Sequence, residues 1–195
     1  MDERRWDRVA PVVAGVVGGI ALIGAVGYFA RWAVTEGFIG QNPIIGVIIG
    51  LLVGATAVGV AEVSWRHQRP LAQGLAGSGL AILSFSIYAG HVWVGAYAAP
   101  LTFVGLSAVA ALGMFVAVRR DSQAVAVMGL VGGLATPLMV PIDRSVFLVY
   151  ALILNGGIIA AAMSRRWPVV PVITVVATIC TSWLWALQRP FPGSL

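Results

Sequence analysis

The stretch VRRDSQAVAVMGLVGGLATPLMVPIDRS, residues 118–145, places an uncharged run over 124–140 between Arg119-Arg120-Asp121 on one side and Asp143-Arg144 on the other. A helix needs about 17–25 apolar residues to cross a bilayer, and there its backbone must satisfy its own hydrogen bonds because lipid offers none. Residues 124–140 meet that length, and the flanking charges mark where the chain regains water. The same pattern repeats in both directions from this stretch. Apolar runs near 9–31, 44–63, 72–95, 101–118, 124–140, 146–163 and 168–187 predict seven spans. The expected fold is all-α: a polytopic transmembrane helix bundle occupying 9–187 as one domain, with a tail over 1–8 and another over 188–195.

Composition supports that reading. The chain has 195 residues, 59% of them hydrophobic and 10% charged, with a mean hydropathy of +0.95. A water-soluble domain carries about 25% charged residues to wet its surface. The basic balance, +5 overall, comes entirely from arginine. These arginines fall at the ends of apolar runs, so they read as orientation signals and not as a nucleic-acid footprint. Arg4, Arg5, Arg8, Arg66, Arg69, Arg119, Arg120, Arg165 and Arg166 lie on one side of the predicted bilayer, against Arg31, Arg144 and Arg189 on the other. The richer side is expected to be cytoplasmic, with the N-terminus inside and the C-terminus outside, as in a multi-pass protein of the bacterial inner membrane. Trp6, Trp32, Trp65, Trp93, Trp167 and Trp185 sit near span ends, at headgroup depth. The first run is long for a cleavable signal and is preceded by Asp2, Glu3 and Asp7, so it reads as a retained span.

Glycine spacing is the most frequent motif. Gly15 and Gly19, then Gly46, Gly50 and Gly54, then Gly129 and Gly133 recur at intervals of four, with Gly132 beside the last. Small residues on one face let helix backbones approach closely, which drives association where lipid is as apolar as leucine. GVVGGIAL from Gly15, GLAGSGLA from Gly74 and GLVGGLAT from Gly129 also share one pattern, on alternate spans. Duplicated helix hairpins in parallel would produce this arrangement, and so would chance among 24 glycines.

Ionisable residues within spans are costly and mark function. Here only Glu62, four residues before Arg66, and His91, in the interfacial YAGHVWVGAY, come near that description. They are the candidate polar or pH-sensitive groups, His91 as a proton-responsive imidazole, set against ion pairing along one helix face for the first and an interfacial position for the second. Asn155 is the strongly polar residue near mid-span, where interhelical hydrogen bonding accounts for such groups. Thr136-Pro137 differs from the glycines, because proline removes a helical hydrogen bond and leaves a carbonyl to be satisfied elsewhere. No pair of carboxylates shares a span, and no HExxH, GxSxG or phosphate loop occurs. Cys180 is the lone cysteine, so neither an intrachain disulfide nor a thiolate metal site can form.

PLAQGLAGSGLAILSFSIYAGH from Pro70 and RRDSQAVAVMGLVGGLATPLMV from Arg119, followed by LILNGG and RRW, resemble a bacterial family of predicted multi-spanning membrane proteins, domain of unknown function 2339. The resemblance covers roughly residues 10–185. It implies the same multi-pass topology but no substrate, cofactor or catalytic residue. Members are typically longer, so this chain is expected to be a short relative or the first part of such an architecture. The leading expectation is a non-enzymatic scaffold or accessory subunit without cofactor, whose partners are membrane lipids and other membrane subunits or a second copy. The competing one is a carrier or flippase for a small neutral or lipidic substrate, with Thr136, Pro137, Gly132, Gly133 and Asn155 along its path.

Overall fold

A computed structural model describes Tyr28 and residues 43–140, 143–167 and 169–188. Every regular element among them is an α-helix: α1 (Pro43–Ser64), α2 (Arg69–Val92), α3 (Ala99–Arg120), α4 (Gln123–Met139), α5 (Arg144–Arg165) and α6 (Val169–Gln188). They match the second to seventh predicted spans. The first span, 9–31, lies outside the described residues apart from Tyr28, which is helical and exposed. Among the described residues, four helical segments are long and apolar enough to cross a membrane: Ile44–Ser64, Arg69–Val92, Ala99–Arg120 and Ser145–Arg165. Helix α4, with 17 residues, rises about 25 Å, against a hydrocarbon core of about 30 Å.

Proline and arginine set several of the ends. Pro70 and Pro100 lie in the first turns of α2 and α3. A missing N–H costs nothing at that position, so both helices start before the proline and not after it. Ser122 caps α4, its hydroxyl accepting from Val125 N–H at 3.4 Å. Arginine closes α3 and α5, where positive charge suits the helix dipole.

The chain divides into two compact units, one ending at Tyr97 and the other beginning at Ala98. In the first, α1 and α2 form a hairpin whose contact face is rich in small residues. Val47, Gly54, Val58 and Ala61 are buried on α1, and Ala72, Ala76, Gly79, Leu80, Ile82 and Ser86 on α2. The outward side of α1 carries the large aliphatics, among them Ile48, Ile49, Leu52, Val53 and Val63. That is the reverse of a soluble helix, because lipid accepts bulk and the helix interface demands closeness. In the second unit α4 packs against α3, α5 and α6 and forms its centre. Val125, Leu130, Ile158, Val170 and Thr174 are fully buried there.

Candidate functional site

The sequence singled out Thr136-Pro137, and the structure gives that step a partner. Both residues are buried in α4. Pro137 has no N–H to donate to the carbonyl of Gly133, four residues earlier. The Tyr150 hydroxyl, from α5, donates to that carbonyl at 2.8 Å. The Thr136 hydroxyl donates to Gly132 O on its own helix at 3.1 Å, and both Thr136 and Ser107 of α3 lie in hydrogen-bonding reach of Tyr150. The Tyr150 ring stands edge-on to Phe103 of α3, centroids 5.0 Å apart. Three helices therefore meet at the proline, and the freed carbonyl is bound by protein.

Asn155 is likewise engaged. Its Nδ2 donates to Ala151 O at 2.7 Å, and its Oδ1 accepts from the Thr178 hydroxyl of α6 at 2.8 Å. The structure thus sets Asn155 between α5 and α6, whereas Thr136 and Pro137 join α4 to α5 and α3. The two polar contacts thus join different helix pairs.

Several glycines sit at close crossings. A methyl at Gly54 would lie 2.8 Å from Leu83 Cγ and 3.0 Å from Gly79 O, and one at Gly79 would lie 2.8 Å from Gly54 O. Gly50 faces Ser86. Gly129 lies over the α3 backbone at Gly113 and Met114, where a Cβ would meet atoms at 3.4 Å, and Gly133 faces Leu154 of α5 at 3.0 Å. Gly132 faces no atom within 4 Å, and Gly46 is half-buried. Gly15 and Gly19 lie outside the described residues.

Glu62 is half-buried in α1. His91 Nδ1 donates to Tyr97 O at 2.8 Å, helping fold the chain after α2 back over Gly90, which lies under the Tyr97 ring. An open groove of about 260 Å³ lies at the α1–α2 turn, lined by Val63, Ser64, His67, Gln68 and Leu71. Among the described residues no three His, Cys, Asp or Glu side chains converge as a metal would require.

Two relationships were not legible in advance. Nothing in the sequence pairs Tyr150 with the proline, although it is a hydroxyl within the next apolar run. The other joins distant turns: buried Trp167 donates its indole N–H to Asp121 Oδ1 at 2.8 Å. The α3–α4 and α5–α6 turns, each with an arginine pair, therefore lie at one end of the second unit.

Apolar helices with bulky outward faces, close glycine crossings and polar groups bonded within the protein define an all-helical multi-pass membrane protein. The chain belongs to the predicted membrane protein family DUF2339, whose model matches residues 13–194. No curated protein and no solved structure matches it significantly.

Proposed function

We propose that this protein is a non-enzymatic scaffold or accessory subunit of a bacterial inner-membrane assembly, with seven spans and its N-terminus and arginine-rich turns in the cytoplasm. The observation that carries the reading is the use of its intramembrane polar atoms. Tyr150 bonds α5 to α4 and Thr178 bonds α6 to Asn155 of α5, contacts that lock helices together, while Thr136 and the Asn155 Nδ2 bond their own helices. A substrate path would need such groups turned towards a cavity, so the carrier reading draws less support from the same residues. The aliphatic outward faces of α1 and α6, including Leu52, Val63, Val172 and Ile179, suit lipid or another subunit equally well. Shared placement of the glycine pattern on the second helix of both hairpins, α2 and α4, is consistent with a duplicated hairpin.

Purification from the native membrane in mild detergent, followed by mass measurement, tests the proposal. The expected particle exceeds the 20.3 kDa chain after the micelle is subtracted, through a co-purifying subunit or a second copy. A clean monomer with nothing bound overturns it.

A further inference from the structure

The two arginine turns of the second unit are built alike. AVRRDS, residues 117–122, ends α3, and AMSRRW, residues 162–167, ends α5. In each, the first residue past the helix is left-handed, Asp121 at φ 51° and Arg166 at φ 55°. In each, the following N–H reaches back to an alanine carbonyl, Ser122 to Ala117 at 3.0 Å and Trp167 to Ala162 at 2.9 Å. This cap normally carries glycine, since a Cβ is disfavoured in that region. Aspartate tolerates it through local hydrogen bonding, but arginine has no such compensation. A chain with 24 glycines nevertheless places Arg166 there. Orientation does not explain the choice, because any nearby position serves a charge rule equally well.

The surroundings point to an anion. Arg119, Arg165 and Arg166 are exposed and Arg120 is half-buried. Asp121 is the one carboxylate in either turn, and one of its oxygens takes the Trp167 indole. Within two turns of the same helix ends, Phe115 and Met163 are exposed, and Leu112 is exposed just beyond. An acyl chain would cover them, and a free phosphate would not.

We propose that the paired turns form a headgroup cradle for an anionic phospholipid. Arg119, Arg165 and Arg166 bind the phosphate oxygens, and the Trp167–Asp121 bond fixes their spacing. Guanidinium suits this task because it offers phosphate two parallel donors. The proposal needs the protein to be a membrane protein, and it is independent of the scaffold reading.

The test uses the full chain in neutral detergent micelles, where both ends are accessible and orientation is immaterial. Dioleoylphosphatidylglycerol, dioleoylphosphatidylcholine or inorganic phosphate is added, and Tm and the lipid retained in native mass spectra are read. The phosphatidylglycerol is expected to raise Tm and stay bound, and the other two are not. Arg166→Gly is expected to keep or raise the lipid-free Tm, because strain is relieved, while weakening phosphatidylglycerol binding about fivefold. Arg165→Gln with Arg166→Gln weakens it by more than about tenfold. Arg66→Gln with Arg69→Gln removes equal charge at the α1–α2 turn and leaves binding unchanged. Equal weakening by that control pair, equal stabilisation by phosphatidylcholine or inorganic phosphate, or full binding by a folded Arg166→Gly overturns the cradle. If the Arg165/Arg166 double variant fails to fold, Arg166→Gly and Arg119→Gln carry the same comparison.

Discussion

The Tyr150 hydroxyl binds the Gly133 carbonyl that Pro137 leaves without a helical donor, 2.8 Å across from α5 to α4. Removing it with Tyr150→Phe leaves a buried acceptor unpaired in apolar surroundings. The expected loss is about 0.6–2 kcal/mol, the range of interhelical bonds in membranes. Pro137→Ala restores an N–H for Gly133 and should recover much of that loss in the double variant. A thermal double-mutant cycle in detergent reads the coupling, and strictly additive effects would refute the pairing.

Gly54→Ala inserts a methyl 2.8 Å from Leu83 Cγ and 3.0 Å from Gly79 O. The hairpin must open to admit it, at about 1–3 kcal/mol by analogy with overpacked cores. Gly59→Ala, on the same helix, meets nothing within 4 Å and should be neutral, or stabilising by up to about 1 kcal/mol through helix propensity. Comparing the two Tm values checks the contrast.

Asn155→Ala and Thr178→Val remove opposite ends of one bond between α5 and α6. Each should destabilise modestly, and their coupling should be about 0.6 kcal/mol. The double variant therefore falls less than the sum of the singles. A coupling near zero would show that the two side chains act apart.

Trp167→Phe keeps the buried ring and removes the indole donor to Asp121. Because Asp121 is exposed to water, the expected loss is small, about 1 kcal/mol. Asp121→Ala adds the cost of alanine at φ 51°, but in that background Trp167→Phe should cost nothing further. Denaturation of the single and double variants in detergent decides the matter.

Helix positions were legible because scarce charges, together with prolines at the turns, punctuate the apolar runs. Arg119-Arg120, Arg144 and Arg165 lie at observed ends, and the predicted spans fall within a few residues of the helices. The third span was expected to reach 95, yet α2 stops at Val92; Gly95, at φ 63°, turns the chain back so that Tyr97 covers Gly90. Which face of each helix is buried was harder to read. In lipid both faces are apolar, so polarity does not mark the buried stripe of α1, where Val58 is buried and Val60 exposed. Pairings such as Tyr150 with Gly133 depend on the relative depth of two helices, which a linear pattern does not encode.

The Trp167–Asp121 bond also imposes an order on synthesis. Asp121 is made with the first hairpin of its unit, and the indole that holds it arrives 46 residues later. Until then the α3–α4 turn is held by its own caps, Ser122 N–H to Ala117 O and Val125 N–H to the Ser122 hydroxyl. The last turn made thus adds a clasp to the first only after both hairpins exist.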